Sequence, residues 1–427
     1  MIIALKKIIL QKNIGMISNF SFNKNCKTIS GTIKNSILKH LIENGSFIIP
    51  EISESTGYSL TTISKYVSEL VKEDFLIEKE KISLHTKGRK AISYSMHPDS
   101  CYFLGVDIRA FDLRIRLINF MGEEIKSIKN DKFILENSYE TFEYVCIQIK
   151  EFIQGIEGID EKKILSANIN LPGRVNHKEG TSSTLFNFEE THYTPLSEIF
   201  TEKIGIKVYI ENDTKAMAYG EYICGKDKRN FKDVIYVNIG WGLGLGIIID
   251  GKLYHGKNGY SGEFGHNHAY SNNILCHCGK KECIETEVSA RAIQRKIIEK
   301  INSGEQSILS KKVKKGITIT TNHILEAAEL EDPLCIELIS QTGTELGHHL
   351  AGIINIFNPE AIIIGGHLSQ AEPYCFLQPI ELAIRKYSLK LMNQNVSIIS
   401  SELGANAGVY GACLIARNIT FFGEGTI

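Results

Sequence analysis

The first hundred residues run as short apolar stripes at helical spacing, each backed by a polar face. In "KNSILKHLIENG", residues 34–45, Ile37, Leu38, Leu41 and Ile42 share one face, and Gly45 supplies a stop. "IPEISESTGYS" follows, with Pro50 suited to a first helical turn and Thr56-Gly57 to a loop. Ser59 can cap a third helix, in which Ile63, Tyr66, Val67, Leu70 and Val71 recur at i, i+3, i+4, i+7 and i+8. Its other face carries Thr61, Thr62, Ser64, Lys65 and Ser68, short hydrogen-bonding groups and one cation that suit phosphates and base edges. "FLIEKEKISLHTKGRKAISYSMH" then reads as two or three short strands around a tip of Lys87, Gly88, Arg89 and Lys90. Three helices and a basic hairpin predict a winged helix-turn-helix over residues 30–98, with helix 60–72 in a DNA major groove and the hairpin on phosphates or in the minor groove. The candidate DNA-contacting residues are Thr61, Thr62, Lys65, Lys87, Arg89 and Lys90. A small protein-interaction domain would show the same apolar pattern; the charge gathered at the tip favours DNA.

From Tyr102 the pattern changes, after a short linker "HPDS" at 97–100. "YFLGVDI" is a continuous apolar run, and "LRIRLINFMGEEI" alternates and turns at Gly122. "ILSANINLPG" ends a strand in a turn, and "KVYIENDTKAMAYGEYI" reads as strand, polar loop and helix. "VIYVNIGWGLGLGIIIDGKLYHG" predicts two strands around glycines, then a hairpin at Asp250-Gly251. "AIIIGGHL" and "GANAGVYGACLIA" add a strand with a glycine turn and a helix that starts on small residues. Strands alternating with helices predict an α/β fold over 101–427. Glycines after strands let backbone amides approach a ligand.

Length and charge narrow the function classes. The 427 residues suit two or three domains, and a net charge of −1 gives no global attraction to nucleic acid, so a DNA site must be local. No apolar run approaches the roughly 18 residues of a membrane span. The opening "MIIALKKIILQKNIGMISNF" is broken by Lys6 and Lys7 and lacks a cleavage site, so residues 1–29 read as a basic arm, or as an over-long start with Met16 as another initiator. A cytoplasmic location is expected, where clustered cysteines bind metal or do chemistry rather than form disulfides.

Ten cysteines are present, and three of them, Cys276, Cys278 and Cys283, fall in "CHCGKKECIE". The spacing supplies three soft ligands to one tetrahedral zinc, with His266 as the favoured fourth and His268 and His277 as rivals. A closed set of this kind is structural. Three reduced thiols in a surface loop are the plainer alternative, and a catalytic thiol explains least. Polar residues also punctuate the strand ends: Asn212 and Asp213, then Glu263 and His266, then Glu285. Carboxylates, an amide and an imidazole suit a polyhydroxylated ligand, and an Asp beside a hydroxyl can act as general base. Taken singly, each is as well explained as a surface or capping group.

These same stretches carry a resemblance. "GYSGEFGHN" followed by "CHCGKKECIETEVS" resembles the signature of the ROK family, which groups sugar-responsive repressors with sugar kinases. "LPGRV", "YIENDTKAMAYGE", "VNIGWGLGLGIIIDGKLYHG", "NPEAIIIGGHLS" and "AGVYGA" follow the family's order, and "STGYSLTTISKYVSELVKEDFLIE" is similar to the DNA-binding part of its repressors. The resemblance implies an actin-like, two-lobed fold of hexokinase type with a cleft near 212–213. It implies sugar contacts from Gly173, Asn212, Asp213, Glu263, His266 and Glu285, with Asp213 at the catalytic-base position and His266 serving both zinc and sugar. One departure is Glu282, where members often have Gly.

The phosphate loops decide between the two branches. The family's kinases carry Asp-x-Gly-x-Thr after the first strand, whereas here Asp107 is followed by Arg109 and Phe111. Trp241 stands where the second phosphate loop usually has a small hydroxylated residue. Bulk in a phosphate-hugging turn opposes ATP binding, although Arg109 could serve phosphate as a cation. The expectation is a non-catalytic repressor: a homodimer or homotetramer on a palindromic operator, answering a sugar or phosphosugar, with structural zinc and no ATP and no membrane partner. The alternatives are an ATP-dependent sugar kinase with an accessory head, and a sugar-binding scaffold without DNA affinity.

Overall fold

The computed structural model describes residues 28–82, 91–225 and 231–423. The N-terminal helices form where the apolar stripes predict. α1 (Ile29–Asn44) starts earlier than its stripe suggests, because Thr28 accepts the Gly31 N–H at 3.1 Å and caps it, and Gly45 ends it. β1 (Phe47–Ile48) leads into α2 (Ile49–Thr56), which carries Pro50 in its first turn and stops at left-handed Gly57. α3 (Leu60–Lys72) is capped by Ser59, buries Ile63, Val67 and Leu70, and leaves Tyr66 and Val71 half-buried. β2 (Leu76–Ile82) and β3 (Ala91–Met96) pair antiparallel, and β1 adds to the far side of β3.

Two five-stranded sheets make the body, and they share one topology. The first holds β4 (Tyr102–Ile108), β5 (Leu113–Asn119), β6 (Glu124–Asn130), β7 (Ile164–Leu171) and β10 (Lys207–Asn212), in the order β10-β7-β4-β5-β6. Between β7 and β10 lie the small ribbon of β8 (Val175–Asn176) and β9 (Thr181–Ser182), and helix α5 (Leu196–Ile204); α4 (Tyr139–Gln154) precedes β7. After α6 (Asp213–Cys224), the second sheet takes β11 (Val234–Ile239), β12 (Leu243–Ile249), β13 (Lys252–Leu253), β14 (Ala361–Gly365) and β15 (Ser397–Ser400), in the order β13-β12-β11-β14-β15. In each sheet the first three strands pair antiparallel and the last two join parallel beside the first. Such a duplicated unit is consistent with the actin and hexokinase type of α/β fold. The turn between β12 and β13 falls at Asp250-Gly251, both at positive φ (49° and 74°), as the dipeptide predicts.

α7 (Ala290–Asn302), α8 (Thr321–Glu329), α9 (Pro333–Phe357) and α10 (Leu377–Tyr387) cover the second sheet. α11 (Ala407–Phe422) packs on the first sheet and against α6, with almost no space between the two backbones. A Cβ on Gly411 would lie 1.8 Å from the Ala216 carbonyl oxygen, so only glycine fits there.

The expected linker is not a loose tether. Pro98–Ser100 form a 3-10 turn, and Phe120 donates its N–H to Pro98 O at 3.0 Å. Phe75, just past α3, meets Phe120 and Phe421 with ring centroids 6.2 and 5.8 Å away. Phe421 closes on Phe120 at 4.7 Å and on Phe103 at 5.9 Å. One buried cluster therefore runs from α1 and α3 into the first sheet and α11. The basic arm expected over 1–29 lies outside the described residues up to position 27, as do Lys87, Arg89 and Lys90 at the hairpin tip. Among the described residues, no helix is long and apolar enough to cross a membrane.

Candidate ligand cleft and metal cluster

The cleft is built where β10 ends and α6 begins. The C-terminal edge of a parallel strand and the N-terminus of the next helix commonly meet at a ligand. Asn212 caps α6: its Oδ1 accepts the Lys215 N–H at 3.0 Å, and its Nδ2 donates to Gly173 O at 2.9 Å and to Asp213 Oδ1 at 3.0 Å. Gly173 has φ 92°, and a Cβ there would lie 2.1 Å from Thr184 Oγ1, so the turn after β7 requires glycine. Asp213 Oδ1 also accepts the Thr214 N–H at 2.7 Å. Burial, then the nearby Asp107 carboxylate, push the Asp213 carboxyl up to about 6.

The second lobe delivers the other polar groups on a loop pressed to β12. A Cβ on Gly262 would lie 2.0 Å from Leu245 O, and one on Gly265 would lie 2.2 Å from Leu243 O. These contacts hold Glu263 half-exposed, with His266 Nε2 3.8 Å from its Oε2. Glu285 is buried and already engaged: Oε2 accepts the Leu243 N–H at 2.9 Å, and Oε1 lies 2.7 Å from His277 Nδ1. A ligand would have to share Glu285 rather than find it free.

The other ring nitrogen of His266 faces the cysteines. His266 Nδ1 lies 3.6 Å from Cys276 Sγ, and Cys278 Sγ lies 3.7 Å from Cys283 Sγ. One ligand atom from each of His266, Cys276, Cys278 and Cys283 falls within 4.8 Å of all the others. Around a tetrahedral ion with metal–sulfur bonds near 2.3 Å, neighbouring sulfurs stand about 3.8 Å apart. The four donors fit a metal ion in this arrangement. The rivals fare differently. His268 is turned to Glu282 Oε2 at 3.0 Å, while His277 keeps a place beside Cys276 Sγ at 3.9 Å and in a second grouping with His266 and Glu285. Glu282 sits at φ 67°, a left-handed conformation that glycine adopts most readily. Its carboxylate accepts the Asn273 N–H at 3.0 Å, which anchors the residue in that shape.

The far end of the cleft holds the altered turns. Asp107 is fully buried and accepts Arg109 Nε–H at 2.7 Å and Asn170 Nδ2–H at 3.2 Å. Arg109 Nη2 and Arg114 Nη1 both donate to Ala405 O at 2.8 Å. Phe111, on the turn between β4 and β5, meets Trp241, on the turn between β11 and β12, edge to face at 5.2 Å. Two residues that looked like separate losses in the sequence touch each other across the lobes.

Sequence reasoning passed over Lys215, His177, Glu211 and His255. Lys215 is 1% exposed and donates to Ser261 O at 2.8 Å, which ties α6 to the Glu263 loop. Glu211, Lys215 and His255 sit inside family stretches but beside more conspicuous groups, and the four come from three separate parts of the chain. Among the DNA candidates, Thr61 and Lys65 are exposed on α3, while Thr62 is half-buried and 2.8 Å from Ser59 Oγ.

Comparison with known proteins places this geometry. The chain is 29% identical over 398 residues to the xylose repressor of Caldicellulosiruptor bescii, covering 90% of this chain and 96% of that one. It is 27% identical over 377 residues to the DNA-binding transcriptional dual regulator NagC of Escherichia coli K12, covering 86% and 88%. A crystal structure of a ROK family transcriptional regulator, a homolog of the E. coli MLC protein, superposes with TM-score 0.76 at 29% identity over 91% of this chain and 96% of that one. A ROK family glucokinase from Streptomyces griseus, solved with glucose and AMPPNP, superposes with TM-score 0.64 at 28% identity, over 74% of this chain and 99% of the kinase. The ROK family model itself matches residues 103–419, which is most of the chain, and the protein belongs to the ROK family.

Proposed function

We propose that this chain is a sugar-responsive transcriptional repressor that binds operator DNA through a winged helix-turn-helix and a sugar in the interlobe cleft. One observation carries the reading. The likeness to a ROK transcriptional regulator extends over 91% of the chain, head included, whereas the likeness to the glucokinase covers 74%. Three helices and a three-stranded antiparallel sheet, with β1 between the first two helices and β2 and β3 after the third, support a winged form over 30–98, ahead of the sugar-binding domain at 101–427. Thr61, Ser64, Lys65 and Ser68 are the exposed face of α3 offered to a groove. Zinc is the ion that suits three thiolates and one imidazole. It would bind through His266 Nδ1, leaving Nε2 to meet Glu263 and so shape the sugar pocket from behind.

Binding without phosphoryl transfer is the accompanying reading. Asp213, at the kinase base position, has the raised carboxyl that a general base wants, which is what favours a kinase. Against it, the turn that would embrace phosphates holds Arg109 paired to Asp107 and Phe111 against Trp241. The route from sugar to DNA is physical. α11 begins against Asp107, where a Cβ on Gly408 would lie 2.5 Å from Asp107 Oδ2, and ends in the aromatic cluster that seats Phe75 beside α3. Closure of the lobes that shifts α11 shifts the head. A sugar drives this only by preferring one arrangement over the other.

Footprinting of the purified full-length protein on DNA flanking its own gene, with and without a panel of sugars and phosphosugars, tests the reading. A protected palindrome that one sugar alters is expected. No protection under any condition, or ATP turnover abolished by Asp213→Asn, would overturn it.

A further inference from the structure

Three side chains outside the cysteine cluster and the sugar-facing set converge where the lobes touch. Glu211 precedes the cleft residues on β10, and His177 follows β8, both in the first lobe. His255 follows β13 in the second. Glu211 is 1% exposed; its Oε1 accepts the Asn212 N–H at 2.8 Å, and its Oε2 lies 2.7 Å from His255 Nε2. The rings of His177 and His255 lie with centroids 3.9 Å apart. One ligand atom from each of the three falls within 4.8 Å of the others, and His177 Nδ1 is buried with no hydrogen-bond partner.

The buried Lys215 ammonium has Glu211, Glu263 and Asp213 as charged neighbours, so Glu211 is not the only carboxylate this ammonium serves. An imidazole nitrogen without a proton partner, a second imidazole and a buried carboxylate make the two-histidine, one-carboxylate donor set, which leaves positions open around its ion. We propose that His177, Glu211 and His255 bind a divalent transition-metal ion at a second site, separate from the cysteine cluster and bridging the two lobes. The ion would tie the segment that leads into the Glu263 loop to the junction of β10 and α6 that carries Asn212 and Asp213. Its occupancy should therefore stiffen the cleft.

Cobalt(II) chloride distinguishes the two sites, because thiolate ligation produces a sulfur-to-cobalt charge-transfer band and nitrogen–oxygen ligation does not. The full-length protein, stripped with chelator under reductant, is titrated with cobalt(II) and its bound metal measured after dialysis. Wild type should take up one equivalent with the band and a second without it. His255→Gln and His177→Gln should each lose the second equivalent and keep the band, which reports an intact fold. Cys278→Ser should lose the band and keep the second equivalent. Uptake of only the thiolate-bound equivalent by wild type would overturn the proposal, as would retention of both by the histidine variants. Glu211 and His255 would then be a hydrogen-bonded clasp between lobes and nothing more.

Discussion

The two ends of the cleft handle their polar groups in opposite ways. At the sugar end, Asp213 and Glu263 come from two lobes with the Lys215 ammonium between their charges, and Glu263 stays half-exposed. At the phosphate end, Arg109 donates to Asp107 and to Ala405 O, and an aromatic pair spans the lobes. A charged group that has already exchanged water for protein partners gains little from a phosphate, while a half-exposed carboxylate gains a hydroxyl pair. Under the repressor reading proposed above, this difference is how one fold would keep recognition and lose transfer: few side chains need to change, provided those that change satisfy each other.

The largest expected effect comes from the proposed zinc site behind the sugar end. Cys278→Ser removes one of its four grouped donors, and the binding energy of a structural ion is also folding energy. The melting temperature should fall by on the order of 10 °C or more, with loss of the thiolate-bound metal and of any sugar-induced shift. The comparison breaks if the variant keeps its metal content and melting temperature, because the sugar end would then stand without the ion.

Glu263→Ala comes next. A carboxylate hydrogen-bonded to sugar hydroxyls is worth about 1.5–3 kcal/mol, so sugar affinity should drop roughly 10- to 150-fold. Operator affinity in the absence of sugar should stay the same, measured by titration on labelled DNA. Loss of both together would make the Glu263 loop a structural support for the whole body rather than one wall of a pocket.

Much of this was legible in the chain itself, for physical reasons. The α3 stripe is read from periodicity, because a helix repeats its buried face locally. The cysteine cluster is read from spacing, because three thiols within eight positions of one loop come together whatever the rest of the chain does. The Asp250-Gly251 hairpin follows from a demand for positive φ. What stayed hidden was long-range. Phe111 and Trp241 look like independent departures until the lobes bring them together. His177, Glu211 and His255 lie on three separate segments and share no motif. The head looked tethered by "HPDS", yet Phe75 is buried against Phe120 and Phe421, a contact no local pattern encodes. Glu282 stands where the family often has Gly, and its left-handed backbone explains why glycine would also serve there.

The smallest effect is also the most direct probe of the phosphate end. Phe111 is 44% exposed, so its ring has little core packing to lose beyond Trp241. Edge-to-face pairs contribute about 0.5–1.5 kcal/mol beyond area burial. Phe111→Ala should therefore lower stability by about that much, and a cycle with Trp241→Ala should return a coupling of the same size. The chain has one tryptophan, so its emission reports this contact alone. Removal of Phe111 should shift the emission to the red as water reaches the indole. A sugar that closes the cleft should change wild-type emission and leave the Phe111→Ala emission nearly still. Equal spectra for the two proteins would mean that the aromatic contact does not persist in solution, and the phosphate end would then be open. In that event the contrast between the two ends would rest on Arg109 alone, and Mg-ATP would become the ligand to test against Arg109→Gly.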